Sequence, residues 1–196
     1  MTGPPVVGAV LCGGASRRMG RDKAFVELEG LPFACRVDAA LRAGGAERVV
    51  AVGGDADRLT AIGLAPVPDD HPGEGPLGGV LTALRFCGDA LVVVAACDQP
   101  WLDGATVGRL IGALAGRADA AAAVPSIAGR RVPLPVVLRG DRAGPALRAG
   151  FAAGTRSLLD GLAELRAVEV PGLAPAALRD VDAPEHLRGP GERRPV

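Results

Sequence analysis

Between Leu11 and Lys23 the chain reads Leu-Cys-Gly-Gly-Ala-Ser-Arg-Arg-Met-Gly-Arg-Asp-Lys, a glycine-rich turn followed by cations, set directly behind an apolar run. Glycines let a backbone approach a ligand and turn its N–H groups toward phosphate oxygens. Arg17, Arg18 and Lys23 supply the charge that a bound triphosphate and a departing pyrophosphate require. A second chemical feature is Asp98, which ends the apolar run Leu91 to Cys97. A carboxylate at the mouth of a buried strand can ligate Mg2+, a hard ion held by one or two carboxylates together with substrate phosphates. The plainer alternative for Asp98, an aspartate that opens the turn before Pro100, has equal standing on the residue alone. Asp69 and Asp70 precede a loop rich in Pro and Gly, Pro72 to Gly79, whose backbone can approach a base or ribose; two adjacent acids in a loop also make an ordinary solvated turn.

These residues need elements to hold them. Val6 to Leu11, Arg48 to Val52 and Leu91 to Ala96 are short apolar runs without polar alternation, the pattern of strands buried on both faces. Phe33 to Ala43 and Leu77 to Phe86 carry apolar residues at helical spacing. Strand alternating with helix predicts an α/β chain, a three-layer sandwich around a mostly parallel sheet with right-handed crossovers. In such sheets ligands sit beyond the carboxyl ends of the strands. Gly13-Gly14, Gly53-Gly54 and Asp98 all fall at such ends. Further along, Asp119 to Val124 and Val136 to Leu138 are expected strands, and Pro145 to Ala149 and Ser157 to Leu165 expected helices. The Pro-, Gly- and Arg-rich end, Gly189 to Val196, is expected to fray. One domain, residues 1–188, with a tail at 189–196 is the expected organisation.

Composition narrows the function classes. The chain is 48% hydrophobic and only 3% aromatic, so Ala, Val and Leu build the core. Its formal net charge of +0 gives no overall field toward nucleic acid or an anionic membrane, and phosphate binding has to come from a local cluster. Met1 to Pro5 has no basic leader and Leu91 to Cys97 is too short to span a bilayer, which predicts a cytoplasmic protein. Cys12, Cys35, Cys87 and Cys97 form no Cys-x-x-Cys pair and have no histidine at metal-site spacing, and are expected as reduced, mostly buried thiols. His71 and His186 are too far apart and too poorly accompanied for a catalytic triad, and surface or loop positions are expected for both.

The glycine loop matches neither the Gly-x-x-x-x-Gly-Lys-Ser/Thr cradle nor the Gly-x-Gly-x-x-Gly dinucleotide turn. It closely resembles the opening signature Leu-x-Gly-Gly-x-Ser-x-Arg-Met-Gly-x-Asp-Lys of molybdenum cofactor guanylyltransferases and their nucleotidyltransferase relatives. Asp69 with Gly75-Pro76-Leu77-x-Gly79 resembles that family's second element, and Cys97-Asp98-Gln99-Pro100 its Cys-Asp-x-Pro metal site. Gly154-Thr155-Arg156-Ser157-Leu158 and Asp180-Val181-Asp182-Ala183-Pro184-Glu185 resemble weaker C-terminal landmarks. The resemblance implies a Rossmann-like nucleotidyltransferase fold. It implies that Leu11, Cys12, Gly13, Gly14, Gly53 and Asp69 hold the nucleotide, that Lys23 contacts its phosphates, and that Arg17 and Arg18 follow the pyrophosphate. It further implies that Asp98 binds Mg2+, with Mn2+ as the alternative ion.

The reaction so implied is attack by the terminal phosphate of molybdopterin on the α-phosphorus of GTP. Its partners are those two substrates and a delivery protein or recipient molybdoenzyme. Relatives that use CTP tend to carry Ala-Ala-Gly where this chain has Cys12-Gly13-Gly14 and to lack the Asp before the lysine, so Gly13 and Asp22-Lys23 favour GTP. Three departures from the guanylyl pattern stand against it: acids at Asp180 and Asp182 where Asn is more frequent, Gly53 in place of Asn, and Val132 before Pro133. Asp180 and Asp182 read either as a second carboxylate near the metal or, with greater weight, as a short strand followed by a helix start at Ala183-Pro184-Glu185. The rival functions are a cytidylyl- or sugar-phosphate nucleotidyltransferase, and a GTP-binding sensor or scaffold without turnover.

Overall fold

The computed structural model describes residues 4–13 and 22–182. In chain order the elements are β1 (Val6–Leu11), β2 (Glu27–Leu28), β3 (Leu31–Pro32), α1 (Phe33–Ala43), β4 (Arg48–Val52), α2 (Ala56–Ala61), β5 (Pro66–Val67) and α3 (Gly75–Cys87). The second half comprises β6 (Leu91–Ala96), α4 (Gly104–Ala115), β7 (Ala122–Ile127), β8 (Arg130–Arg131), β9 (Val136–Arg139), α5 (Gly140–Ala152), α6 (Leu158–Ala163) and β10 (Ala167–Val170). The main sheet runs β10-β7-β9-β6-β1-β4-β5, with β8 paired to β7 off this path. β1 is parallel to β4 and β6, and β4 to β5. β9 runs antiparallel to both neighbours. β2 and β3 form a separate antiparallel hairpin.

The layers follow from side-chain alternation along β1. Val7, Ala9 and Leu11 join the core that also holds Leu77, Val80 and Leu84 of α3 and Leu147 of α5. Val10 joins the opposite core with Val37 and Leu41 of α1 and Leu110 and Leu114 of α4. In α1 the buried residues Phe33, Ala34, Val37, Ala40 and Leu41 lie on one face at helical spacing. Gly8 is what lets α1 approach: a Cβ there would sit 2.9 Å from Val49 Cγ2 and 3.1 Å from Leu41 Cδ1. No helix among the described residues is long and apolar enough to cross a membrane.

The expected bounds of β1, β4, β6 and α1 are those observed. The strand expected over Val136 to Leu138 runs one residue further, to Arg139, and four other elements differ, each for a local reason. The helix expected from Leu77 begins at Gly75, because Pro76 is set for a first helical turn. The strand expected over Asp119 to Val124 runs over Ala122–Ile127; Asp119 pairs with Arg117 in the preceding turn. The helix expected over Pro145 to Ala149 fills 140–152 and carries Pro145 inside it. Ser157 is a cap, not the first helical residue: its Oγ accepts from Asp160 N at 3.3 Å, and α6 is Leu158–Ala163. The expected tail at 189–196 and the helix start at 183–185 lie outside the described residues.

Candidate functional site

A cavity of about 460 Å3 opens at the carboxyl ends of β1, β4 and β6. Leu11, Cys12 and Gly13 leave β1 into it, Val52 ends β4, and Ala96, Cys97 and Asp98 leave β6. Asp69, Gly73, Gly75, Pro76 and Gly79 form a second wall, Leu134 a third, and Asp22 and Lys23 complete the lining. This is the position at which an open α/β sheet binds ligands.

The wall beside β4 and β5 brings backbone to the cavity at Gly13, Gly73, Gly75 and Gly79. Cys12 N and Gly13 N both bond Val52 O, at 2.9 and 3.2 Å, which fixes the start of the loop. Gly53 does not line the cavity; it backs the wall. Its φ of +72° suits glycine, and a Cβ there would stand 3.1 Å from Gly13 Cα. A Cβ at Gly13 would project to 3.5 Å from Asp69 Oδ2, ordinary contact, but into the gap between loop and carboxylate. Of the two adjacent acids, Asp69 faces the cavity. Its Oδ1 accepts from the Thr82 hydroxyl and from His71 N, both at 3.0 Å. Asp70 turns away and forms a two-point pair with Arg85, at 2.5 and 2.8 Å. Thr82, fully buried on α3, is a supporting residue that sequence reasoning missed; its only sequence trace is a polar residue amid the apolar face of that helix.

The opposite side is made of charges. Asp22 caps a short 3-10 turn, Lys23–Phe25, by accepting from Ala24 N at 3.1 Å, and the turn aims Lys23 inward. Lys23 Nζ donates to Asp98 Oδ2 at 2.8 Å and to Asp182 Oδ1 at 2.7 Å. Burial opposes the ammonium charge, but the bonds to Asp182 and Asp98 outweigh it and raise its pKa. Residues 179–182 form no strand, contrary to the weightier sequence reading. They lie as a strap on the turn after β6, where Val181 N donates to Asp98 O at 2.8 Å and the Arg179 guanidinium stacks on Trp101 at 4.0 Å. This strap carries Asp182 to Lys23, a meeting of residues 159 positions apart. Part of Asp180 stays open to solvent, yet the protein packed around it and the nearby Asp98 carboxylate push its pKa up to about 6. Arg36, also missed, ties the hairpin to this turn by donating to Pro100 O and Leu28 O, each at 3.1 Å.

Gly14, Arg17 and Arg18 lie outside the described residues, as does His186. His71 is in a loop, its ring 4.7 Å from that of Phe151. Cys12, Cys87 and Cys97 are buried and Cys35 half-buried, all of them free thiols. The hydrogen bond with Cys12, together with burial, pushes the Cys97 thiol well up, and burial pushes Cys87 up to about 11; neither is poised as a nucleophile. Among the described residues no three His, Cys, Asp or Glu side chains converge as a metal cage. What exists is Asp98, with Asp182 across the Lys23 ammonium. Hard oxygen donors in that number fit Mg2+, which takes its other ligands from phosphate and water.

A sequence profile of the MobA-like NTP transferase domain matches residues 8–168. A molybdenum cofactor guanylyltransferase of Burkholderia vietnamiensis is 39% identical over 178 residues, 85% of this chain and 86% of its own. A probable molybdenum cofactor guanylyltransferase of Opitutus terrae is 43% identical over 108 residues, and there the match spans about half of each chain, 54%. The crystal structure of molybdopterin-guanine dinucleotide biosynthesis protein A from Archaeoglobus fulgidus superposes with a TM-score of 0.75 at 27% identity, covering 92% of this chain and 94% of that one. A profile match over residues 8–168 and a relative 39% identical over 85% of the chain together show that the chain belongs to the MobA-like NTP transferase family.

Proposed function

We propose that this chain transfers GMP from GTP to the terminal phosphate of molybdopterin, releasing pyrophosphate and forming molybdopterin guanine dinucleotide. The observation that carries the reading is the Lys23–Asp98 pair lining a cavity beside Gly13, Gly73, Gly75 and Gly79, with Asp182 bonded to the same ammonium. A phosphate oxygen of the acceptor forms a bond to the α-phosphorus as the bond from that phosphorus to the bridging oxygen breaks, and both electrons leave with pyrophosphate. The acceptor is already an anion, so no general base is required; the protein's work is positioning and charge neutralisation.

In this reading Leu11, Cys12, Gly13 and Gly14 seat the nucleotide along the loop, with Gly53 behind Gly13 and Asp69 facing the base or ribose. Lys23 exchanges its carboxylate partners for phosphate oxygens and stabilises the charge that grows near the α-phosphate. Arg17 and Arg18 are assigned to the pyrophosphate. Asp98 would hold the divalent cation, Mg2+ with Mn2+ as the alternative, and Asp182 is placed to share it; when bound, that ion supplies charge neutralisation at the phosphate oxygens. GTP is preferred to CTP because a methyl at residue 13 would narrow the gap to Asp69. We assign residues 1–188 to one domain, place the enzyme in the cytoplasm, and expect a delivery protein or recipient molybdoenzyme to take up the product.

The test is to incubate the purified chain and Mg2+ with molybdopterin and each of GTP, CTP and ATP, and to weigh the product. The guanine dinucleotide with GTP alone is the expected result. A cytosine dinucleotide would keep the mechanism and overturn the base; tight GTP binding with no product would favour a sensor or scaffold.

A further inference from the structure

Gln99 lies next to Asp98 but plays no part in the cluster just described. It is 2% exposed, one of few buried polar side chains in the molecule, and long polar side chains are buried only when their groups are satisfied. Its Nε2 donates to Leu134 O at 3.0 Å, across 35 positions of chain. Its Oε1 accepts from Ala96 N at 3.4 Å. One carboxamide thus joins the end of β6 and the segment leading into β9.

The Leu134 end of this link lines the cavity. Sheet order puts it on a definite side: Gly13 and Asp69 follow β1 and β5, while Leu134 precedes β9, on the other side of β6 and Asp98. A nucleotide seated on the glycine wall with its phosphates at Lys23 leaves the Leu134 side for the second substrate. We propose that Gln99 is a positioning residue for that acceptor: its Nε2–Leu134 bond sets how far the Leu134 wall stands from Asp98, and so holds the acceptor phosphate against the α-phosphorus. The inference rests on the proposed transferase reading. Its chemistry needs Gln at this position because only a carboxamide donates to Leu134 O while accepting from Ala96 N.

The test uses the full chain with Gln99→Met, which removes both functions of the amide at similar volume, and Gln99→Glu at pH 8, which keeps the acceptor for Ala96 N and loses the donor to Leu134 O. Both variants are expected to raise the acceptor KM about tenfold while the GTP KM changes less than about twofold. An equal rise in both constants would overturn the proposal, as would an effect in Gln99→Met alone. Amide exchange without substrates is the second readout: faster exchange at Val132 and Leu134 in both variants, with Gly13 unchanged, is expected, and unchanged exchange at Leu134 overturns the proposal. If wild type makes no dinucleotide, the transferase reading fails, and the exchange result still decides whether Gln99 holds this wall.

Discussion

The two sides of the cavity are built on opposite plans. At the β1–β4 side, Gly13 and the loop up to Gly79 present backbone, with Gly53 packed behind Gly13, and the side chains that are missing matter most. At the β6 side, Lys23, Asp98 and Asp182 meet within 2.8 Å, and each depends on a different segment for its position. The first plan, on the proposed reading, would select a ligand by shape, since a single methyl changes the room available. The second, on the same proposed reading, would neutralise charge at the reacting phosphorus, where preorganised ions are worth most. Substitutions on the first side should therefore change which nucleotide binds and how well, and those on the second how fast it reacts.

The largest expected effect lies on the charged side. Lys23→Met should lower kcat by about 10²–10³-fold, with GTP affinity reduced far less; steady-state pyrophosphate release and equilibrium binding together check the split. On the glycine side, Gly53→Ala has to adopt φ near +72° with its Cβ 3.1 Å from Gly13 Cα. It should cost about 2–3 kcal/mol in urea unfolding and weaken GTP binding as the loop moves. Gly13→Ala, whose Cβ has ordinary clearance, should fold normally and raise the GTP KM about tenfold while sparing CTP; competition between the two nucleotides measures it. A comparable loss for both would break the contrast between the sides.

The smallest effect is a pH dependence. Asp180 titrates near 6 in the fold against an ordinary 3.8, so folding favours its protonated form. Its contribution is fully present below about pH 4, is lost as the pH rises through about 6, and is flat above. In metal-free protein Asp180→Asn should therefore melt roughly 2–4 °C above wild type at pH 7.5, with the gain vanishing toward pH 4. Thermal melts across that range follow it.

Much of this was readable from residues because the informative signals are local. Apolar runs without alternation gave β1, β4 and β6 their bounds, and each run ends in the glycines or acid that reach the cavity. Local signals carry no partner information, however. That Asp69 and not Asp70 faces the cavity depends on Thr82 and Arg85, respectively thirteen and fifteen positions from the acids they hold. The strap at 179–182 was the larger surprise: its short, mixed sequence reads as a strand, and its docking rests on Asp98 O, Trp101 and Lys23, contacts that no periodicity encodes. Gln99 reads as one polar residue in a turn, and only its bond to Leu134 shows what it spans.

The division of labour between the two sides is tested most directly by measuring GTP affinity and turnover on one variant, Asp98→Ala, with Trp101 fluorescence reporting binding. The account predicts GTP affinity within about tenfold of wild type and pyrophosphate release lowered by about 10³-fold or more. Turnover retained within about tenfold would contradict it, because the charged side would then not be where the chemistry is done.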